Sequence, residues 1–144
     1  MNLELKVTKI QFIYDDGDTN AINFILDDNG YFSIQTCVYE EQDENFNQPF
    51  FEFKEQSNGQ RGGLERIDFS TEKTLLTFKD NKLFMKRYKE VELLLNQPVD
   101  RKIVDFFANH LFVGDLIHYD GGFEISARVI QTEYREPPLE TELP

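Results

Sequence analysis

Asp15, Asp16, Asp18, Asp27, Asp28, Glu40, Glu41, Asp43, Glu44 and Glu52 place ten carboxylates between Ile10 and Phe53, a stretch without a single Lys, Arg or His. The chemistry open to such a set is electrostatic. Charges of one sign raise each other's energy, and folded domains keep them together mainly where they steer an oppositely charged partner. The first third of the chain therefore reads as a docking surface. The plainer alternative is that loops are polar and acidic groups keep a protein dissolved.

Other chemistries find less material. His110 and His118 lie eight residues apart without the Cys or carboxylate spacing of a zinc site, and read as packing or surface histidines. Asp16, Asp18, Asn20 and Asp27 imitate the ligand spacing of a calcium loop. Ala21, however, stands where that loop needs a turning glycine, and Ile22, Phe24 and Leu26 alternate as a strand does. No nucleophile elbow, phosphate-cradling glycine loop or dinucleotide fingerprint occurs, so the expectation is a non-enzyme with no metal and no cofactor. Two facing carboxylates could serve a glycosidase, but no such pair is identifiable.

The chain has 144 residues, a formal charge of −12 and a pI near 4.5. That length suits one domain. Residues 1–60 hold 12 acids against 3 bases, residues 61–113 hold 8 against 10, and residues 114–144 hold 7 against 2. Phosphate contacts need clustered Lys and Arg, so nucleic acid is excluded as the expected partner. Lys79, Lys82, Lys86, Arg87 and Lys89 read instead as a solvated edge that discourages strand-to-strand aggregation. Fourteen Phe and six Tyr supply a core that a disordered acidic chain would lack. Cys37 is the single cysteine, which suits a reducing compartment and a small buried role. No leader or membrane-length apolar run is evident, and the chain reads as soluble and cytoplasmic.

Period-2 alternation predicts the elements that carry these residues. Leu3, Leu5 and Val7 share one face and Ile10, Phe12 and Tyr14 the other parity, a slip that predicts a β-bulge near Thr8-Lys9. Strands follow at Ile22–Leu26, Phe32–Val38 and Phe51–Phe53. The Gln56–Gly63 stretch reads as a loop, and further strands are expected at Leu64–Phe69, Thr74–Phe78, Lys82–Tyr88 and Val91–Leu95, all in an antiparallel meander. Asp100 is placed as N-cap of a helix that runs to Val113 and stops at Gly114. Leu116–Tyr119 and Phe123–Ile130 suggest a C-terminal hairpin. The expected fold is α+β: a mostly antiparallel sheet packed on one helix, as a single domain over residues 1–132 with an acidic tail at 133–144. In an up-and-down arrangement Asp15, Asp16 and Asp18 share one end of the sheet with Glu40, Glu41, Asp43 and Glu44. Phe46 and Phe50 stand beside them as candidate apolar anchors or core fillers.

The most distinctive local text is Glu55–Leu64, with three glycines in five residues. With Gly30-Tyr31-Phe32-Ser33-Ile34-Gln35, Glu40-Glu41-Gln42-Asp43, Phe50-Phe51-Glu52-Phe53, Gln56-Ser57, Gly62-Gly63-Leu64, the strand Ile67–Ser70 and the close from Glu90 to Val113, it resembles a family of bacterial immunity proteins from polymorphic toxin systems, the tenth such family. The resemblance covers about residues 20–113. It departs at Gly59-Gln60-Arg61, which lacks an aromatic before the paired glycines, and at residues 114–144, which exceed the usual length.

That resemblance implies a small, mostly β protein that neutralises a cognate bacterial toxin. The acidic surplus suits a basic, nuclease-type toxin, because charge complementarity speeds association and buried charge pairs slow release. The candidate contact residues are Glu40, Glu41, Asp43 and Glu44, supported by Asp15, Asp16 and Asp18, with Gln56 and Arg61 from the glycine-rich stretch. Self-association into a homo-oligomer is compatible with the sequence. A different class of function, a nucleic-acid mimic that blocks a DNA-binding enzyme, would spread its carboxylates along one elongated face.

Overall fold

A computed structural model describes residues 1–16, 19–37, 48–111 and 113–119. Among these residues nine strands form one mixed sheet: β1 (Asn2–Asp16), β2 (Thr19–Leu26), β3 (Tyr31–Cys37), β4 (Phe50–Phe53), β5 (Glu55–Arg61), β6 (Leu64–Ser70), β7 (Lys73–Phe78), β8 (Glu90–Leu95) and β9 (Ile117–Tyr119). Their spatial order is β5-β4-β3-β2-β1-β8-β7-β6-β9. A single helix, α1 (Arg101–Asn109), is found among the described residues. None of their helices is long and apolar enough to cross a membrane.

The meander holds from β1 to β5 and from β6 to β8, but its two halves join differently from the antiparallel expectation. β8 lies parallel to the N-terminal half of β1, from Asn2↔Glu90 to Val7↔Leu95. The C-terminal half of β1 pairs antiparallel with β2. One long strand can serve two partners because the expected bulge is present: the register slips between Val7 and Lys9. Leu5 and Val7 are buried before it, and Ile10, Phe12 and Tyr14 pack on the core after it. β9 is also parallel, against β6.

The sheet curls strongly. β4 and β7 lie five places apart in the strand order, which in a flat sheet would separate them by about 24 Å. Yet the rings of Phe51 and Phe78 meet at 5.0 Å. Phe32 and Phe84 complete this aromatic cluster, with Phe84 at 5.6 Å from Phe32 and 5.5 Å from Phe78. The other half of the concave face is filled by α1. Phe106 meets Phe12 and Tyr14 edge-on at 5.4 and 5.3 Å, and Phe107 meets Phe69 at 5.4 Å. Ile103, Val104, Phe106 and Phe107 form the buried stripe of α1. Asp100 caps it as expected, its carboxylate accepting from Ile103 N–H at 3.1 Å.

Three expectations need correction, and a fourth is met only in part. The Gln56–Gly63 stretch is a strand, β5, up to Arg61 and only Gly62-Gly63 turn, with φ of +77 and +95°. An edge strand with a wet face needs no apolar alternation, so its polar text concealed it. Lys82–Tyr88 is a loop closed by the bridge Phe84↔Tyr88, because Met85 and Lys86 both take positive φ. α1 ends at Asn109, five residues before Gly114, which instead opens a short 3-10 turn, Gly114–Leu116. One arm of the C-terminal hairpin is present as β9, parallel to β6; its proposed partner at Phe123–Ile130, like the tail at 133–144, lies outside the described residues.

Candidate functional site

Sheet register brings the strand ends that flank the two acidic segments together. Asp16 and Cys37 both pair with Thr19, so residues 17–18 and 38–47 connect at the same end of neighbouring strands. The chain re-enters at Gln48, and Gln35↔Phe50↔Arg61 continues that end across β4 and β5. Gly62 N–H donates to Pro49 O at 2.8 Å. The Arg61 guanidinium donates to Gln48 O at 3.2 Å and lies 5.5 Å from the Phe50 ring centroid.

The sequence candidates divide accordingly. Asp15 and Asp16 close β1 at this end. Asp18, Glu40, Glu41, Asp43, Glu44 and Phe46 lie outside the described residues. Arg61 sits at the same end, beside the half-buried Phe50. Gln56 follows Glu55, which pairs with Phe53 at the other end of β4, and it lies in the register slip between Glu52↔Gly59 and Phe53↔Glu55.

The C-terminus of α1 arrives at this same end. The His110 carbonyl accepts from Thr36 Oγ1 at 2.7 Å and from Asn20 Nδ2 at 3.2 Å, both buried. The helix dipole thus points its negative end where the acidic segments begin. The His110 ring is wedged between Tyr14, edge-on at 4.8 Å, and Phe106, stacked at 5.0 Å. Burial lowers its pKa to about 4, so it is neutral at pH 7 and adds no positive charge. Burial, and then Asp105, raise the pKa of Tyr14. Neither Asn20 nor Thr36 was legible as a helix anchor, since only the tertiary docking of α1 gives them a carbonyl to bind.

Four cations of the middle third bond carboxylates of the middle third. Lys89 reaches Asp80 at 2.8 Å and Glu65 at 3.5 Å, Lys73 reaches Glu92 at 3.0 Å, Arg66 reaches Asp68 at 2.9 Å and Arg101 reaches Asp105 at 3.4 Å. The side-chain bond to Lys89 lowers the Asp80 pKa, and the reciprocal bond raises that of Lys89. Two of the ten carboxylates are engaged elsewhere. Lys54 bonds Asp28 at the far end of β2 and, with Gly30 N–H, lowers its pKa. Glu52 accepts from the Tyr31 hydroxyl, a bond that with burial pushes the phenol up to about 12.

A second feature escaped the sequence reading. A groove of about 750 Å³ runs between β5 and the loop of residues 80–86, lined by Ser57, Gly59, Arg61, Lys82 and Lys86 among others. Gln60 clips its walls together: its amide donates to Gly62 O at 3.1 Å and Lys82 O at 3.2 Å, and accepts from Met85 N–H at 3.2 Å. Nothing in the composition marks Gln60 for this, because its partners come from a loop 22 residues away.

No family model matches the chain, and no curated protein or solved structure matches it.

Proposed function

We propose that this protein is an immunity-type inhibitor that binds a cognate bacterial toxin of basic, nuclease-like character through the acidic end of its sheet. The observation that carries the reading is the shared pairing of Asp16 and Cys37 with Thr19, which attaches both acidic segments to one end. The C-terminal pole of α1 at that end, and the neutral state of His110, add negative potential and no opposing charge. Arg66, Lys73 and Lys89 bond carboxylates of their own segment, which supports it as well. Attachment at one end favours a localised contact over a nucleic-acid mimic, which calls for a long acidic face. The chain in this reading performs no chemistry; it occupies a cationic surface, and electrostatic steering sets how fast it arrives.

Gene context supplies the test. The expected neighbour is a large reading frame with a secretion or repeat region and a variable C-terminal domain. Expression of that C-terminal domain should stop growth, and co-expression of this protein should restore it. Growth arrest that this protein does not relieve would refute the proposal.

A further inference from the structure

We infer that the outer face of the sheet carries a binding site for a guanidinium group, built around the Glu52 carboxylate. Phe32, Ile34 and Phe51 turn into the core, so strand alternation sends Ser33 and Glu52 to the opposite face. Both are buried there all the same, Ser33 at 2% exposed and Glu52 at 9%. Register sets them in one row across four strands, Gln11↔Asn23↔Ser33↔Glu52. These four residues, with Tyr31 and Gln35 among others, line a cavity of about 390 Å³. That volume is in the range of small-ligand sites, about 300–1,000 Å³.

The lining offers acceptors and one negative charge. Among the described residues no Lys or Arg lines the cavity, and Lys54, two residues beyond Glu52, bonds Asp28 instead. Glu52 accepts from the Tyr31 hydroxyl, and that bond, with burial, pushes the phenol up to about 12, so Tyr31 remains a donor and holds the carboxylate in place. One neutral donor is little compensation for a carboxylate nine-tenths removed from water; a cation supplies the rest. Gln35 Nε2 donates to Ser33 Oγ at 3.1 Å, which sets the amide so that its oxygen can accept. Asn23 and Gln11 add amide oxygens along the row. A guanidinium meets such a set better than an ammonium does, because its planar fork carries several donors and its weaker hydration lowers the cost of leaving water. An arginine side chain and a free alkylguanidine share this chemistry. The inference does not depend on what the acidic end meets, since the site is a cavity on the sheet face and its ligand a single charged group.

Full-length, isotopically labelled protein should be titrated at one ionic strength with ethylguanidinium, ethylammonium, neutral N-ethylurea and glucose. Ethylguanidinium should shift the amide resonances of Asn23, Ser33 and Glu52, ethylammonium should bind about fivefold more weakly, and N-ethylurea and glucose should leave those resonances in place. Glu52→Gln keeps the shape of the side chain and can still accept from Tyr31, yet it should weaken ethylguanidinium binding about tenfold. Glu4→Gln, an equal change of charge at an exposed position, should not. Capped arginine amide binding more tightly than ethylguanidinium assigns the group to an arginine side chain; equal or weaker binding assigns it to a free alkylguanidine. Absence of shifts, N-ethylurea binding as well as ethylguanidinium, a stronger response to glucose, or equal losses in the two variants would overturn the site. Equal affinity for ethylammonium would overturn its assignment to a guanidinium. The ligand series uses the unaltered protein, so it decides the matter even if Glu52→Gln fails to fold.

Discussion

Thr36 Oγ1 donates to the His110 carbonyl at 2.7 Å, and this bond fixes the end of α1 to the end of β3 from which residues 38–47 depart. It makes the acidic end one rigid assembly of two strands and a helix terminus. Asn20 from β2 shares the same carbonyl.

Thr36→Val keeps the shape and β propensity of the side chain but removes that donor from a buried carbonyl. The expected cost is about 1–2 kcal/mol, seen as a lower denaturation midpoint at unchanged slope. Asn20→Ala combined with Thr36→Val should cost more than the sum of the two single changes, because the second loss leaves the carbonyl without either strand's donor. Strict additivity would show that the two bonds do not act on one group.

Gly63→Ala should destabilise more than Gly62→Ala. Both positions have positive φ, which costs a residue with a Cβ about 1–2 kcal/mol. At Gly62 the new methyl meets the far end of the Gln48 side chain, which can turn away, whereas at Gly63 it meets the backbone oxygen of Lys82. Thermal unfolding of the two variants compares them directly, and equal losses would mean that the loop of residues 80–86 yields freely.

His110 predicts a pH dependence. Its folded pKa of about 4 lies below the ordinary 6.5, so the unfolded chain takes up a proton first as pH falls. Its contribution to stability is complete above about 6.5 and is lost as pH drops toward 4, with a slope bounded by about 1.4 kcal/mol per pH unit. Protonation of the many carboxylates acts in the same range, so the measurement is the difference between the unaltered protein and His110→Gln. The advantage of the unaltered protein over the variant should shrink on acidification; an advantage that stays constant would contradict the burial of a neutral imidazole between Tyr14 and Phe106.

Much of the core was legible because it obeys simple periods. Ile22, Phe24 and Leu26 alternate inward, Val91, Leu93 and Leu95 do the same, and the change of parity between Val7 and Ile10 announced a bulge that the register contains. Asp100 stood out as a cap because a short acceptor precedes an apolar run at helical spacing. What the sequence concealed depends on distant partners. The parallel pairing of β1 with β8 joins residues about 90 apart, and no local pattern encodes it. β5 has one face to solvent and reads as a loop. Lys82–Tyr88 alternates like a strand, yet Met85 and Lys86 turn it back on itself around the buried Phe84. Of the proposed contact residues, the end occupied by Asp16 followed from strand direction, while the return of Arg61 to that end required knowing that β5 pairs back along β4 as far as Phe50.

The acidic end as the toxin contact is tested most directly by association kinetics. Glu40→Gln, Glu41→Gln, Asp43→Asn and Glu44→Gln together change the formal charge from −12 to −8. With the toxin encoded beside this protein, the quadruple variant should associate about tenfold more slowly at low ionic strength, with a flatter dependence of rate on salt. An unchanged rate with an unchanged salt dependence would contradict the account.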